Sequence, residues 1–191
     1  MSFNFFAYIA RMRFINRWAL MRNSYTENIQ EHSHQVAVLA HALAVIRNTW
    51  FGGHVDTGAV TVAALYHDAT EILTGDMPTP IKYYNPTIRD SYKLVEKIAG
   101  DKLLGMLPQE LRAEYEKALQ PTDPEIEKLV KAADKLSAHI KCLEELKAGN
   151  TEFKKAAEQT LMALKGYDMP ELNWFMENCL SSFSLTLDEL E

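Results

Sequence analysis

Four residues of this chain are of the types that hold a divalent metal: His32, the adjacent pair His67 and Asp68, and Asp134. Two imidazoles and two carboxylates form a mixed nitrogen and oxygen donor set, suited to a first-row divalent ion with positions left for water and substrate. Such an ion polarises a phosphoryl oxygen and activates water, which is the chemistry of hydrolysis. A fifth group, Glu71, stands about one helical turn beyond His67, where a carboxylate reaches a water beside the metal or braces a ligand histidine.

These side chains converge only if helices aim them. His32 shares a stripe with Val36, Leu39, Leu43 and Ile46, the spacing of a core-facing helix side, so it points inward. At about 100° per residue, His34 lies about 200° and His41 about 180° from it, which makes both surface or groove histidines. A lone inward histidine also serves as a hydrogen-bonded core residue, and that use stays open for His32. His67 and Asp68 extend the side that carries Val60, Ala64 and Glu71. An otherwise apolar helix thus aims three ionisable groups at one place, where they must pair, bind a metal or face a wet cavity. The competing arrangement is a plain His–Asp contact at an exposed helix end. Asp134 sits about 40° from Val130 and about 60° from Ser137, at the edge of a stripe with Ile126, Ala133 and Ile140. Salt bridges to Lys131, Lys135 or Lys141 are its competing use.

Helical periodicity runs through the whole chain and no alternating strand pattern appears, so the spacing predicts an all-α single domain over residues 1–191. Helices are expected at 3–15 and 29–48, with a loop at 16–28 between them. Asp56 caps a third helix that ends before Gly75, and a Pro-rich loop follows from Asp76 to Pro80. Further helices are expected at 87–107, 108–119, 124–148, 151–165 and 170–182, the long one capped by Asp123 with Pro124 in its first turn.

Composition narrows the function classes. Hydrophobic residues make up 47% and charged residues 24% of the 191, ordinary globular usage. A net charge of -6 gives no long-range attraction for a nucleic-acid polymer. No apolar run approaches the roughly 20 residues of a membrane span. Two cysteines, Cys142 and Cys179, are too few for a disulfide framework, so reduced thiols and a cytoplasmic location are expected. The first 26 residues hold Arg11, Arg13, Arg17 and Arg22 with no acid, a faint transit-peptide pattern set aside because the stretch runs into the candidate site.

The spacing of His32, His67-Asp68 and Asp134 resembles the H…HD…D signature of HD-domain phosphohydrolases. Together with Asn16-Arg17-Trp18, the segments 26–33, 66–71 and 73–80, Cys142-Leu143-Glu144-Glu145 and the C-terminal 184–190, it is similar to bacterial 5′-deoxynucleotidases of the YfbR type. The resemblance implies a helical HD-domain bundle, usually a homodimer, that releases phosphate from deoxyribonucleoside 5′-monophosphates. It implies His32, His67, Asp68 and Asp134 as ligands of a divalent transition metal such as Co or Mn, with Asp68 also facing substrate. Arg17 would hold the phosphate, Trp18 the deoxyribose, and Glu71 would orient or deprotonate the attacking water. Asp76, Met77, Pro78 and Thr79 would line the nucleoside side. From the residues themselves, Arg17 can equally be a solvated arginine, Trp18 a core anchor, and Asp76 a turn former before Pro78. Tyr83 and Tyr84 read as packing aromatics rather than base-stacking ones. Rival readings keep the metal site but change the substrate to a nucleoside triphosphate, cyclic nucleotide or alarmone, or keep nucleotide binding without turnover.

Overall fold

A computed structural model describes residues 2–82 and 84–190, the side chains of Thr79 and Pro80 excepted. Tyr83 and the side chain of Thr79, both considered above, therefore lie outside the described residues. Among the described residues the chain forms α-helices and short 3₁₀ turns with no strand, joined at one point by an antiparallel bridge between Asn16 and Asn28.

Three helices carry the candidate residues. α2 (Ile29–Trp50) starts at a capping box: Asn28 Oδ1 accepts from Glu31 N at 3.0 Å, and the Glu31 carboxylate accepts from Asn28 N at 3.3 Å. α3 (Thr57–Tyr66) is capped by Asp56, which accepts from Ala59 N at 3.0 Å. α8 (Pro124–Lys147) is capped by Asp123, with Pro124 in the first turn where its missing N–H costs nothing. Leu39, Leu43, Val60, Ala64, Leu129, Leu136 and Ile140 interdigitate between them as one core. Each fully buried Leu or Ile there stabilises the fold by roughly 1.5–3 kcal/mol, so the three helices form a stiff frame. α10 (Pro170–Asn178) covers one end with Leu172 and Phe175, and Arg47 ties it to the frame by pairing with Glu171 at 3.3 Å and Glu125 at 2.6 Å.

A second apolar cluster joins α1 (Phe5–Ile9), the turn after α3, α6 (Pro86–Gly105) and α7 (Gln109–Leu119) through Phe5, Met12, Ile29, Ala69, Leu103, Leu107 and Leu119. A third is small: Cys142 and Phe153 with Ala157 of α9 (Lys154–Lys165), against which Trp18 and Met21 of the 16–28 loop pack.

The helix expected at 3–15 is α only over Phe5–Ile9 and then tightens to a 3₁₀ turn, Ala10–Phe14. Three residues per turn keep Ile9, Met12 and Ile15 on the side that meets the second cluster. The third expected helix is interrupted. α3 stops at Tyr66, and after a turn at 67–70 a short α4 (Glu71–Thr74) follows. The cause is local: His67 Nδ1 donates to Ala64 O at 2.7 Å, taking the carbonyl that the next helical N–H would use. Gly75 then ends α4 at φ 75° and ψ 161°, backbone that only glycine adopts readily. α5 (Thr79–Lys82) is a single turn inside the Pro-rich loop, with Pro80 in its first turn where proline is tolerated. The last expected helix ends at Asn178 and continues as a 3₁₀ turn, Leu180–Ser184.

Candidate active site and metal centre

His32 is fully buried, and its Nε2 lies 3.1 Å from Asp134 Oδ1 and 3.5 Å from Asp68 Oδ2. His67 Nε2 lies 3.2 Å from the same Asp68 oxygen, and the two imidazole centroids are 5.2 Å apart. Ligand atoms of His32, His67 and Asp68 all fall within 4.8 Å of one another, and Asp134 joins them through its contact with His32. Among the described residues neither Nε2 has a hydrogen-bond partner, although both are buried. Buried nitrogens without a hydrogen bond are costly, and two of them beside the one carboxylate oxygen of Asp68 form an arrangement that suits a shared cation.

The outer nitrogens suit that need. With Nδ1 donating to Ala64 O, His67 keeps its Nε2 lone pair for a ligand role. His32 Nδ1 lies 3.2 Å from Ser137 Oγ, which itself donates to Gln35 Oε1 at 2.7 Å. That chain runs imidazole N–H to hydroxyl to amide, and it too leaves Nε2 free. Arg17 Nη1 is 2.7 Å from the same His32 Nδ1 and can only donate, so this contact favours the opposite tautomer. In the metal-binding tautomer the guanidinium must look elsewhere for acceptors. The donor set therefore fits a divalent ion with imidazole affinity better than Mg²⁺.

Charges reinforce the geometry. Burial raises the Asp68 carboxyl, but neighbouring His67 and His32 overcome that and hold it down at about 2. Asp134 is likewise held well below the usual carboxylate range by His32, His67 and Arg17 despite burial. Burial lowers His67, yet Asp68 and Asp134 pull it up to about 9. Glu71 is pushed up to about 9 by burial and by the charges of Asp68 and Asp76, and its Oε2 is buried without a partner among the described residues.

Arg17 and Trp18 lie on the 16–28 loop, whose ends the Asn16–Asn28 bridge clamps together. Arg17 N donates to Glu27 O at 2.9 Å, so the chain doubles back beside its own start. Trp18 has φ 58°, the one non-glycine residue in the left-handed region among those described. For a bulky residue this costs on the order of 1–3 kcal/mol and persists only where surroundings over-determine it. Its ring packs on Phe153 at 5.4 Å, and its Nε1 donates to Glu27 Oε2 at 3.0 Å. The residue is thus both anchor and wall, because it also lines a cavity of about 620 Å³ with Arg17, Asp76, Pro78 and Asp134. Met77 is half-buried and is not among the lining residues. His34 and His41 are exposed, His34 in a separate open groove beside Arg13. Tyr84 is exposed.

Sequence reasoning passed over several groups that shape this site. Ser137 was legible as a hydroxyl inside the apolar stripe of α8. Glu27, in a loop, carries no periodicity to mark it. The far cavity wall is a face of α9, where Ala156, Gln159, Thr160 and Ala163 recur at helical spacing as small or neutral side chains. Glu145 is fully buried at the end of α8, accepting from Ser24 N at 2.8 Å, Asn150 Nδ2 at 2.8 Å and the buried Lys141 ammonium. It ties down the outer half of the loop that carries Arg17 and Trp18.

Glu145→Ala should destabilise the fold by about 3–5 kcal/mol, since Lys141 would remain buried without its anion. Burial opposes the Glu145 charge, but Lys141, Asn150 and the loop N–H groups hold its pKa at about 2 against 4.5 for the free side chain. Its contribution is therefore complete above about pH 4.5 and is lost as pH falls toward 2. Thermal melts of wild type and variant should converge across that window; a constant gap would show that the ion pair is not what Glu145 supplies.

The comparisons with known proteins extend over nearly the whole chain. The family model for YfbR-like 5′-deoxynucleotidases matches residues 4–183. A 5′-deoxynucleotidase of Pectobacterium atrosepticum is 51% identical over 189 residues, 98% of this chain and 95% of that protein. Another, of Vibrio vulnificus, is 49% identical over 98% of this chain and 97% of its own length. Among solved structures, an HD-domain phosphohydrolase from Listeria innocua superposes with a TM-score of 0.81 at 21% identity, covering 94% of this chain and 88% of that one. A cyanophage S-2L HD phosphohydrolase, solved with dA and one catalytic Zn²⁺ ion, superposes with a TM-score of 0.68 at 23% identity, covering 92% and 96%. The two structural likenesses speak for the HD-domain fold, and the two sequence relatives for the branch within it. With half of all positions shared over almost its full length and the family's own model matched, the chain belongs to the YfbR-like 5′-deoxynucleotidase family.

Proposed function

We propose that this protein removes the 5′-phosphate of deoxyribonucleoside monophosphates at a divalent transition-metal site held by His32, His67, Asp68 and Asp134. The observation that carries the reading is the pair of buried, unpaired imidazole nitrogens beside Asp68 and Asp134. The adjoining cavity has the volume of a small-ligand pocket. A metal bound there supplies positive charge for the phosphoryl oxygens and lowers the pKa of attacking water.

The chain's own groups divide the remaining work. Arg17 holds two phosphate oxygens with its planar fork, exchanging the poorly matched His32 contact for a charged acceptor. Glu71 takes the proton of the attacking water. Asp68 faces the phosphate as well as the metal. Asp76 and Pro78, which line the cavity, hold the nucleoside side, Asp76 from a position against the Trp18 backbone N–H. One arginine beside the cavity suits a monophosphate better than a triphosphate. We place the reaction in the cytoplasm, on the strength of free Cys142 and Cys179 and the bacterial relatives. A homodimer follows from the family resemblance, and Leu94 and Ile98, exposed one turn apart on α6, offer apolar surface to cover.

Trp18 sets the sugar preference by presenting an apolar wall where a ribose 2′-hydroxyl would sit. Such a wall crowds the hydroxyl and strips its water without offering a partner, and discrimination of about 10²-fold is typical of that arrangement. Wild type should hydrolyse dAMP ahead of AMP by that order, and Trp18→Ala should narrow the ratio. The assay is phosphate release as kcat/KM across dNMP, NMP, dNTP and cyclic nucleotide panels. Preference for triphosphates or cyclic nucleotides would replace the substrate assignment, and stoichiometric binding without turnover would replace catalysis with sensing.

A further inference from the structure

We propose that Glu27 is a positioning residue that couples phosphate binding to sugar discrimination, because one of its carboxylate oxygens holds both Arg17 and Trp18. This rests on the roles proposed above for those two residues. Glu27 Oε2 accepts from Arg17 Nη1 at 2.8 Å and from Trp18 Nε1 at 3.0 Å. The carboxylate is largely buried, its side chain 12% exposed, so neither bond is easily replaced by water. Glu27 belongs to neither the metal cluster nor the described residues lining the cavity; its other oxygen, Oε1, lies 3.9 Å from His32 Nδ1, and Oε2 acts through Arg17 and Trp18.

The rest of the loop makes the coupling tight. Arg17 and Trp18 are adjacent, Glu27 O also accepts Arg17 N, and Trp18 holds a left-handed backbone angle. A planar guanidinium and an indole N–H can share one oxygen only in a narrow range of orientations. Without that oxygen the indole loses the hydrogen bond that tethers it, and the next carboxylate for Arg17 among the described residues is Asp134 at 3.8 Å. The guanidinium would then be drawn toward a metal ligand and away from the phosphate position, while the indole swung out of register with the sugar.

The test is kcat/KM for dAMP and AMP on wild type, Glu27→Ala, Glu27→Gln, Arg17→Ala and Trp18→Ala. Glu27→Ala should lose about tenfold to a hundredfold on dAMP, the scale of a broken charge-assisted hydrogen bond. Its dAMP to AMP ratio should also fall severalfold. Glu27→Gln keeps an oxygen of the same reach but no charge, so it should retain the ratio while losing rate severalfold. A merely structural role would scale the active fraction alike for both nucleotides and leave the ratio untouched. An unchanged ratio in the Ala variant, or a Gln variant as fast as wild type, overturns the coupling while Trp18→Ala still shifts the ratio. If Arg17→Ala and Trp18→Ala leave phosphate binding and sugar preference intact, the parent assignment fails instead. Should the Ala variant not fold, the Gln variant alone decides.

Discussion

Removing the divalent ion should abolish turnover, and a transition metal should restore it better than Mg²⁺. Glu27, Asp68, Glu71, Asp76 and Asp134 all act on the space around Arg17, so a phosphate dianion entering without a metal would meet an excess of carboxylate. The metal-free centre relieves its own repulsion with protons: His67 is held at about 9 and Glu71 at about 9, so both are protonated at neutral pH. A metal must displace the His67 proton to reach Nε2, so loading should release protons and affinity should fall as pH drops below that range.

Two readouts besides activity follow. Calorimetry in buffers of different ionisation enthalpy should count the released protons. Thermal melts should rise on loading, by the equivalent of about 2.7 kcal/mol at a hundredfold excess over Kd. Asp134→Ala, which removes the carboxylate 3.1 Å from His32 Nε2, should lose the metal and with it both effects. Full activity after verified stripping in strong chelator, or a melt indifferent to metal, would remove the metal from the mechanism.

How much of this was legible in the sequence depends on what each residue's position obeys. His32 and Asp134 sit inside long helices, where 3.6-residue periodicity fixes direction, and their predicted inward and edge-of-core orientations match the exposures of 0% and 36% for their side chains. His67 and Asp68 lie beside them for a partly different reason. The continuous stripe linking them to Glu71 does not exist, because the imidazole takes Ala64 O and ends the helix. A side chain competing for a backbone carbonyl leaves no trace in apolar spacing. The loop was opaque for the same cause: Arg17, Trp18 and Glu27 are oriented by a bridge, a shared carboxylate and a left-handed turn, none of them periodic. There the family resemblance supplied Arg17 and Trp18, while Glu27 needed coordinates.

Replacing Glu71 should leave metal and nucleotide bound while turnover falls by about 10²-fold or more, the scale of a lost general base. Glu71 opens α4 next to the His67–Asp68 turn, is 7% exposed, and among the described residues leaves Oε2 without a partner, consistent with the proposed contact to a water. Its environment also makes it costly to ionise, since burial, Asp68 and Asp76 raise its pKa to about 9 when no metal is present. The sign of the stability effect follows. A carboxyl whose folded pKa lies above its unfolded 4.5 contributes stability that is complete below about pH 4.5 and is lost as pH rises toward 9. Glu71→Gln keeps the shape without the charge, so the metal-free variant should melt higher than metal-free wild type at pH 8 to 9, roughly where the wild-type carboxyl ionises. Metal loading should shrink that gap, because a cation beside Asp68 offsets the repulsion that raised the pKa. As the proposed base, Glu71 would trade stability for reactivity, and the two effects of one substitution should move in opposite directions. Loss of metal together with activity in Glu71→Gln would make the residue a ligand, and an unchanged rate would pass the role of base to another group.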